Sequence, residues 1–445
     1  MHNLPEDTNH RALSEGQKDT GETTKNPTTK KWLLPIWPFA VAFVGYPIWW
    51  VLGLGDLGWP IMAIFMVAVL SKMGKGPTVP KGFGIWLLFL LWALCSIIML
   101  DSFGRVLGFV FRYSMYLGAT VFFIYVYNAK TRLTEQRVFG ILTGMWFVVV
   151  VGGFAGLLFP VFELRTLLAY VLPQGILSNE MIHEMAFRTL TQFNSDPNAY
   201  VISAPRPSAP FLYANSWGNV YSVLTPVVVA YLGMIRGKKL FWWVLFSIPV
   251  SFIPAFLTLN RGMFLGLGIA LIYVALRAIM AGNVKVLVAM LSLGIIGAIA
   301  VTTLPVTERL DVRTSRVSSV ETRENLYIEA YERTLESPIL GYGAPRPSEN
   351  PGAPSVGTQG QFWMVLFSSG FPGAALFVGW LAWLFFKTFK RNDMVGLVSN
   401  TILLLTLVEI FYYGILTTGL IVVMTVGALA LRNDPKSAEN EKRHF

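Results

Sequence analysis

The stretch FLTLNRGMFLGLG, Phe256 to Gly268, joins two apolar runs through Asn260, Arg261 and Gly262. A guanidinium in hydrocarbon is costly and occurs there only with a partner or a water-filled cavity. At a membrane surface it is cheap, because the stem lies along apolar neighbours and the charge reaches water. Which case holds depends on where the two flanking runs begin and end.

The chain has 445 residues, 54% apolar and 13% charged. A soluble domain carries about 25% charged residues. Apolar runs long enough to cross the hydrocarbon layer as helices recur from Trp32 to Leu431. The expected fold class is therefore all-α, a polytopic membrane protein with about 12 transmembrane helices. Their bounds read as about 32–53, 57–72, 83–100, 107–128, 138–158, 217–235, 240–259, 263–280, 284–304, 362–386, 394–411 and 415–431. Strand-type alternation does not recur, so an outer-membrane barrel is not expected.

Met1 to Lys31 is polar and poor in apolar residues, and is expected to be a disordered cytoplasmic tail. The run that follows is too long and too late for a cleavable signal peptide and reads as a signal anchor. Residues 32–431 are expected to form a single transmembrane domain, with 432–445 as a second cytoplasmic tail.

Lysine fixes the orientation. With the N-terminus in the cytoplasm, every lysine from Lys18 to Lys442 falls on the cytoplasmic side. Two long polar intervals, about 159–216 and 306–361, fall outside and hold no lysine. The net charge of +10 is thus a topology signal, and no nucleic-acid partner is expected. The outer intervals do keep arginine: Arg165, Arg188 and Arg206 in the first, and Arg309, Arg313, Arg316, Arg323, Arg333 and Arg346 in the second. Two reasons are open. The arginines pair with the loops' own carboxylates, or they bind a phosphate or diphosphate, which a guanidinium grips bidentately.

The single cysteine, Cys95, allows neither an internal disulfide nor a cysteine metal site. His2, His10 and His444 lie in the polar termini, which leaves His183 as the one internal histidine. No metal site and no cofactor are expected. SSVETRENLYIEAYERTLESP, Ser318 to Pro338, reads as an amphipathic helix in the second outer interval. Leu326, Ala330 and Leu335 are expected to share its buried face, with Tyr327 and Tyr331 beside them. A Gly/Pro-rich loop containing Tyr342 follows.

Polar residues beside apolar runs mark candidate sites. Arg261 is a snorkelling hairpin tip or an anion-binding group, with Gly262 expected to permit the tight turn. RPSAPFLYANSWGN, Arg206 to Asn219, offers a second arginine and the amide of Asn215. Arg105 and Arg112, seven apart, lie on roughly one face of the fourth run. They pair with Asp101 or Glu409, or they face a polar cavity.

These segments carry a family resemblance. LTLNRGMFLGLG resembles the Ser-Arg-Gly-x-x-x-Gly signature of the O-antigen ligase and O-antigen polymerase superfamily. RPSAPFLYANSWGN resembles the family's Arg-x-x-(G)-x-F-x-x-(P)-N-x-x-G segment. RENLYIEAYERTLESPILGYG, Arg323 to Gly343, resembles its helix leading to a GYG turn, and QGQFWMVLFSSGFPGA resembles the start of its next span. The resemblance covers roughly residues 200 to 385 and is carried by the order and spacing of these motifs.

It implies an inverting, metal-independent glycosyltransferase of the bacterial inner or plasma membrane. Such proteins take a glycan from a polyprenyl diphosphate carrier at the outer leaflet and join it to a glycan or lipid acceptor. The diphosphate gains charge as it leaves, so fixed arginines stabilise the transition state more than the ground state. Arg261 and Arg206 are carried over as the leaving-group arginines and Arg323 as a third, with Asn215, Arg105, Arg112 and Tyr342 as further substrate contacts. One departure stands out. Counting back from Gly370, the family's histidine falls at Gln359 and its asparagine at Gly360. A glutamine orients a hydroxyl but accepts no proton at neutral pH. Either no strong base is needed, or His183, Glu184, Glu336 or Glu349 supplies one, or the chain binds a lipid-linked glycan without catalysis. A transporter or flippase for such a lipid is the rival class, although the two halves of the chain show no matching repeat.

Overall fold

In the computed structural model, residues 33–74, 76–194, 203–303, 319–350 and 353–432 are described. The expected cytoplasmic tails, His2, His10, His444, Arg309, Arg313 and Arg316 lie outside them. The apolar runs fold as helices in chain order. The first six are α1 Trp37–Val44, α2 Tyr46–Val51, α3 Gly58–Leu70, α4 Gly84–Cys95, α5 Phe103–Asn128 and α6 Glu135–Leu158. Three short helices follow, α7 Leu167–Val171, α8 Gln174–Leu177 and α9 Glu180–Ala186. Next come α10 Ala214–Met234, α11 Lys239–Leu257, α12 Arg261–Met280 and α13 Val284–Thr303. The last four are α14 Ser319–Glu336, α15 Gln361–Thr388, α16 Met394–Glu409 and α17 Thr418–Arg432. Five of them, α5, α6, α11, α12 and α15, are long and apolar enough to cross a membrane. This is a membrane protein built almost wholly from helices.

Several elements differ from expectation. The first run is broken into α1 and α2 at Gly45–Tyr46. Pro47 in the first turn of α2 has no N–H to continue the ladder from α1. The third run ends as a 3₁₀ turn over Ser96–Met99. The first long polar interval contains two small antiparallel sheets. Strand β1, Glu163–Arg165, pairs with β2, Phe187–Thr189, and β3, Thr191–Asn194, pairs with β4, Ser203–Pro207.

Helix α14 spans the expected segment, but its faces are divided differently. Leu326 and Ala330 are buried, whereas Leu335 is exposed. Nine residues at 100° each are two and a half turns, so Leu335 points opposite to Leu326.

Helices α10 and α17 form the centre. Every residue of α17 is buried. Helix α10 packs on α6, α11, α12, α16 and α17, and α15 packs on α4, α14, α16 and α17. Trp146, Trp217 and Tyr221 stack between α6 and α10. This rigid centre fixes where the polar ends of α10, α12 and α15 meet.

Candidate functional site

The junction between α11 and α12 is built from the NRG residues. Leu259 takes a left-handed backbone, φ 51°, the one non-glycine among the described residues to do so. The turn is therefore made at Leu259 and not at Gly262, which already lies in the first turn of α12. Gly262 matters for a different reason. A Cβ there would stand 2.7 Å from Tyr412 Cε2 and 2.8 Å from the Tyr413 hydroxyl, so only glycine lets the two tyrosines close on α12.

Asn260 is buried and acts as the bridge. Its Nδ2 donates to the Ala214 carbonyl at the start of α10, 3.0 Å away. Its Oδ1 accepts from the Tyr413 hydroxyl. The Tyr413 carbonyl in turn accepts from the backbone N–H of Gln361, the first residue of α15, at 2.7 Å. The buried Gln361 side chain donates to the Tyr116 hydroxyl at 3.1 Å and accepts from the Ile415 N–H at 3.2 Å. The starts of α10, α12 and α15 and the α16–α17 connection are thus tied together by neutral groups.

Arg206 joins the same cluster from β4. Its Nε donates to the Thr258 carbonyl at 2.9 Å, at the end of α11. Opposite it on β3, Gln192 accepts from the Ala214 N–H at 3.0 Å. Arg323 comes from α14. One turn on, Tyr327 stacks on Trp363 of α15 with ring centroids 5.0 Å apart. Burial pushes the Tyr413 phenol well above its ordinary pKa, and Glu409 and Tyr412 push it further. Arg206 and Arg323 act in the opposite direction, so both cations have Tyr413 within electrostatic reach. Arg261 is exposed at the head of α12. Among the described residues, neither Arg261 nor Arg323 makes an ion pair. Asn215 is half-buried in the first turn of α10. Gln359, two residues before α15, is half-buried and makes no side-chain hydrogen bond with the described residues.

The other candidates lie elsewhere. Arg105 is occupied by the protein. It donates to the carbonyls of Pro345 at 3.2 Å, Ala344 at 3.1 Å and Tyr342, and pairs with Asp101 at 2.5 Å. Arg346 pairs with the other oxygen of Asp101 at 2.9 Å and lies over the Tyr342 ring. Tyr342 stacks on Phe367 and donates to Glu336 at 2.8 Å. Arg112 donates to the Gly357 carbonyl at 3.2 Å, beside a small, mostly apolar cavity of about 20 Å³ that Tyr116 and Ser368 also line. It pairs with neither Asp101 nor Glu409. Exposed His183 stacks on Phe187 within the first loop, and no contact links it to the NRG junction. Its neighbour Glu184 accepts from Tyr213 at 2.5 Å. Glu409 is fully buried, accepts from Asn219 and Ser222 at 2.6 Å each, and fills the space against Gly266 of α12.

Sequence reasoning missed the scaffold. Asn260, Tyr413 and Gln361 hold the junction, and each is a polar residue at the edge of an apolar run. That position was the available signal, since a buried polar group there must have a partner.

Arg206 and Arg323 lie within electrostatic reach of this neutral scaffold and Arg261 heads the helix it holds, a set that suits a ligand of more than one negative charge. Residues 246–378 match the family model described as O-antigen ligase. This stretch is similar to the O-antigen ligase family. Arg261, Arg323, Tyr342 and Gln359 fall inside the matched residues, and Arg206, Asn215, Arg105, Arg112 and His183 fall outside. No curated protein matches the chain. The match supports a membrane glycan-processing function of the O-antigen ligase or polymerase type.

Proposed function

We propose that this protein transfers a glycan from a polyprenyl diphosphate carrier to a glycan or lipid acceptor at the extracytoplasmic face of the bacterial inner membrane, with both termini in the cytoplasm and about 12 spans. The observation that carries this reading is the sorting of the arginines. Arg261 and Arg323 make no ion pair with the described residues, and Arg206 is anchored on the Thr258 carbonyl, two residues before Asn260. A diphosphate is the ligand such a set fits best.

In this reaction an acceptor hydroxyl oxygen attacks the anomeric carbon from the face opposite the carrier. The bond from that carbon to the diphosphate oxygen breaks, and the diphosphate leaves with the electron pair. Arg261, Arg206 and Arg323 stabilise the charge that develops on it. Gln359 orients the acceptor hydroxyl, whose proton departs after bond formation to the diphosphate or to water. Metal independence and inversion are part of this proposal. Arg105 supports the site indirectly, by holding the loop that follows α14. Asn215, in the first turn of α10, and Arg112, bonded to the Gly357 carbonyl, are further substrate contacts in this reading.

The test is deletion of the gene and complementation, with surface glycans profiled. Arg261→Lys and Arg206→Ala are expected to lose the glycan while the protein still accumulates, because an ammonium cannot reproduce the fork. Normal glycan with Arg261→Lys overturns the leaving-group role. The absence of a basic atom at Gln359 favours one second reading, a lipid-linked glycan-binding subunit without turnover. Purified protein that binds the carrier-linked glycan but yields no product would favour it.

A further inference from the structure

Helix α14 carries two apolar faces. The inner one packs on α15 through Leu326, Ala330 and Tyr327. The outer one is uncovered: Ile328 is 49% exposed, Tyr331 47% and Leu335 54%, and Ile339 in the following turn is 60% exposed. The stripe is continuous with α15, because Tyr331 meets the half-exposed Phe371 edge-on.

The depth of this stripe follows from α15. That helix is broken at Gly370, φ 67°, and its lower part, from Phe371 to Thr388, rises about 27 Å, whereas the hydrocarbon layer is about 30 Å thick. Lys387 in its last turn marks the inner boundary. Counting back from Lys387, the break at Gly370 lies about 25 Å up, a few ångströms short of the outer boundary. The chain after α14 is bonded to α15 at this level. Tyr342 N–H donates to Phe367 O and Gly343 N–H to Ser368 O, each at 2.8 Å, and Phe371 N–H donates to Pro338 O at 2.9 Å. The turn therefore lies at or below the edge of the hydrocarbon.

Irregular backbone survives at that depth only where its polar groups are satisfied by protein. Here they are. Trp92 Nε1 donates to Ile339 O at 3.0 Å, Ser337 Oγ to Gly341 O at 2.7 Å, and Arg105 covers the carbonyls of Tyr342, Ala344 and Pro345. Of the exposed carboxylates of α14, Glu324 and Glu332 precede its last turn, and Glu336 lies in it, where it accepts from the Tyr342 hydroxyl at 2.8 Å.

We propose that Leu335 to Ala344 form a re-entrant anchor seated in the outer edge of the bilayer, with Ile328, Tyr331, Leu335 and Ile339 facing lipid. The anchor fixes the height of α14, and so of Arg323, above the leaflet. It rests on α15 crossing the membrane and is independent of the reaction proposed above. The test uses single cysteines in a Cys95→Ser background. Leu335→Cys and Ile339→Cys are compared with Glu349→Cys, an exposed position on the same outer loop. In spheroplasts, a membrane-impermeant maleimide is expected to label Glu349→Cys at least tenfold faster than the other two. All three are expected to label equally once denatured in SDS. If Leu335→Cys fails to accumulate, Ile339→Cys alone decides. In vesicles of phosphatidylethanolamine and phosphatidylglycerol, a spin label at either position is expected to be relaxed by oxygen more than by a water-soluble nickel chelate. Labelling as fast as at Glu349→Cys overturns the anchor. So does protection in spheroplasts that vanishes for the purified protein in vesicles, since a protein partner and not lipid then covers the stripe.

Discussion

Two turns of this molecule handle arginine in opposite ways. At the turn after α14, Arg105, Arg333 and Arg346 are consumed by the protein. Arg105 and Arg346 share Asp101, Arg333 pairs with Glu329 at 3.2 Å, and backbone carbonyls take further donors of Arg105 and Arg333. At the NRG junction the holding groups are neutral: Asn260, Tyr413 and Gln361. Charge that holds a fold together is not available to a ligand. At the junction held by amides and phenols, Arg206 is anchored on the Thr258 carbonyl, while Arg261 and Arg323 make no ion pair with the described residues. Both cases follow from one rule, that buried polar groups must be satisfied, met once with charge and once without.

The largest expected effect tests the free side of this contrast. Arg261→Lys in purified, reconstituted protein is expected to cut glycan transfer by about 10²–10³-fold, the range for removing one donor that stabilises developing charge. Its melting temperature in detergent should match the wild type, because Arg261 is exposed at the end of α12. An equal loss of stability would mean that Arg261 is structural after all, and the contrast would fail. Arg105→Ala is expected to show the reverse pattern. It strips partners from the carbonyls of Pro345, Ala344 and Tyr342. Stability should fall by about 2–4 kcal/mol, from unsatisfied groups at about 1–3 kcal/mol each. Activity per folded molecule should change far less. Thermal shift and turnover measured on the same preparations separate the two patterns.

The neutral scaffold gives a sharper, smaller effect. Gly262→Ala places a methyl group within 3 Å of both Tyr412 and Tyr413. The rings must move, and with them the Tyr413–Asn260 bond that sets where α12 begins. Tyr413→Phe deletes that bond alone, and should lower stability by about 1 kcal/mol. If the junction positions Arg261, Gly262→Ala should reduce turnover more than Tyr413→Phe does. Equal turnover in the two variants would show that the height of α12 does not matter.

Much of this was legible in the sequence, and the limits have physical causes. The helical membrane class followed from the length of the apolar runs, and helix α14 from its spacing. Arg206 and Arg323 stood out as arginines in lysine-free intervals and Arg261 as an arginine between two apolar runs, and the family resemblance then singled out the three. Which arginines were already paired could not be read, since Asp101 meets Arg346 across 245 positions. The break between α1 and α2 was hidden because Gly45 and Pro47 sit inside an unbroken apolar run. The sheets of the first loop were missed because strands of three to five residues carry too little alternation to register. The outward face of Leu335 needed only careful angular counting from Leu326.

The smallest effect tests whether the consumed arginines depend on charge. Asp101 is a surface carboxylate whose pKa is held below its ordinary value, first by the hydrogen bond from Arg105 and then by the fields of Arg105 and Arg346. A carboxyl lowered on folding stabilises the protein above its unfolded pKa, near 3.9, and loses that contribution as pH falls through the lowered value. The melting temperatures of wild type and Asp101→Asn should therefore differ slightly at pH 7 and converge as the pH drops below about 4. Other carboxylates titrate in both proteins and cancel in the difference. A gap that persists into acid would mean that Asp101 serves as a neutral hydrogen-bond acceptor. The turn after α14 would then be held in the same way as the NRG junction, and the two regions would differ only in which residue types do the holding.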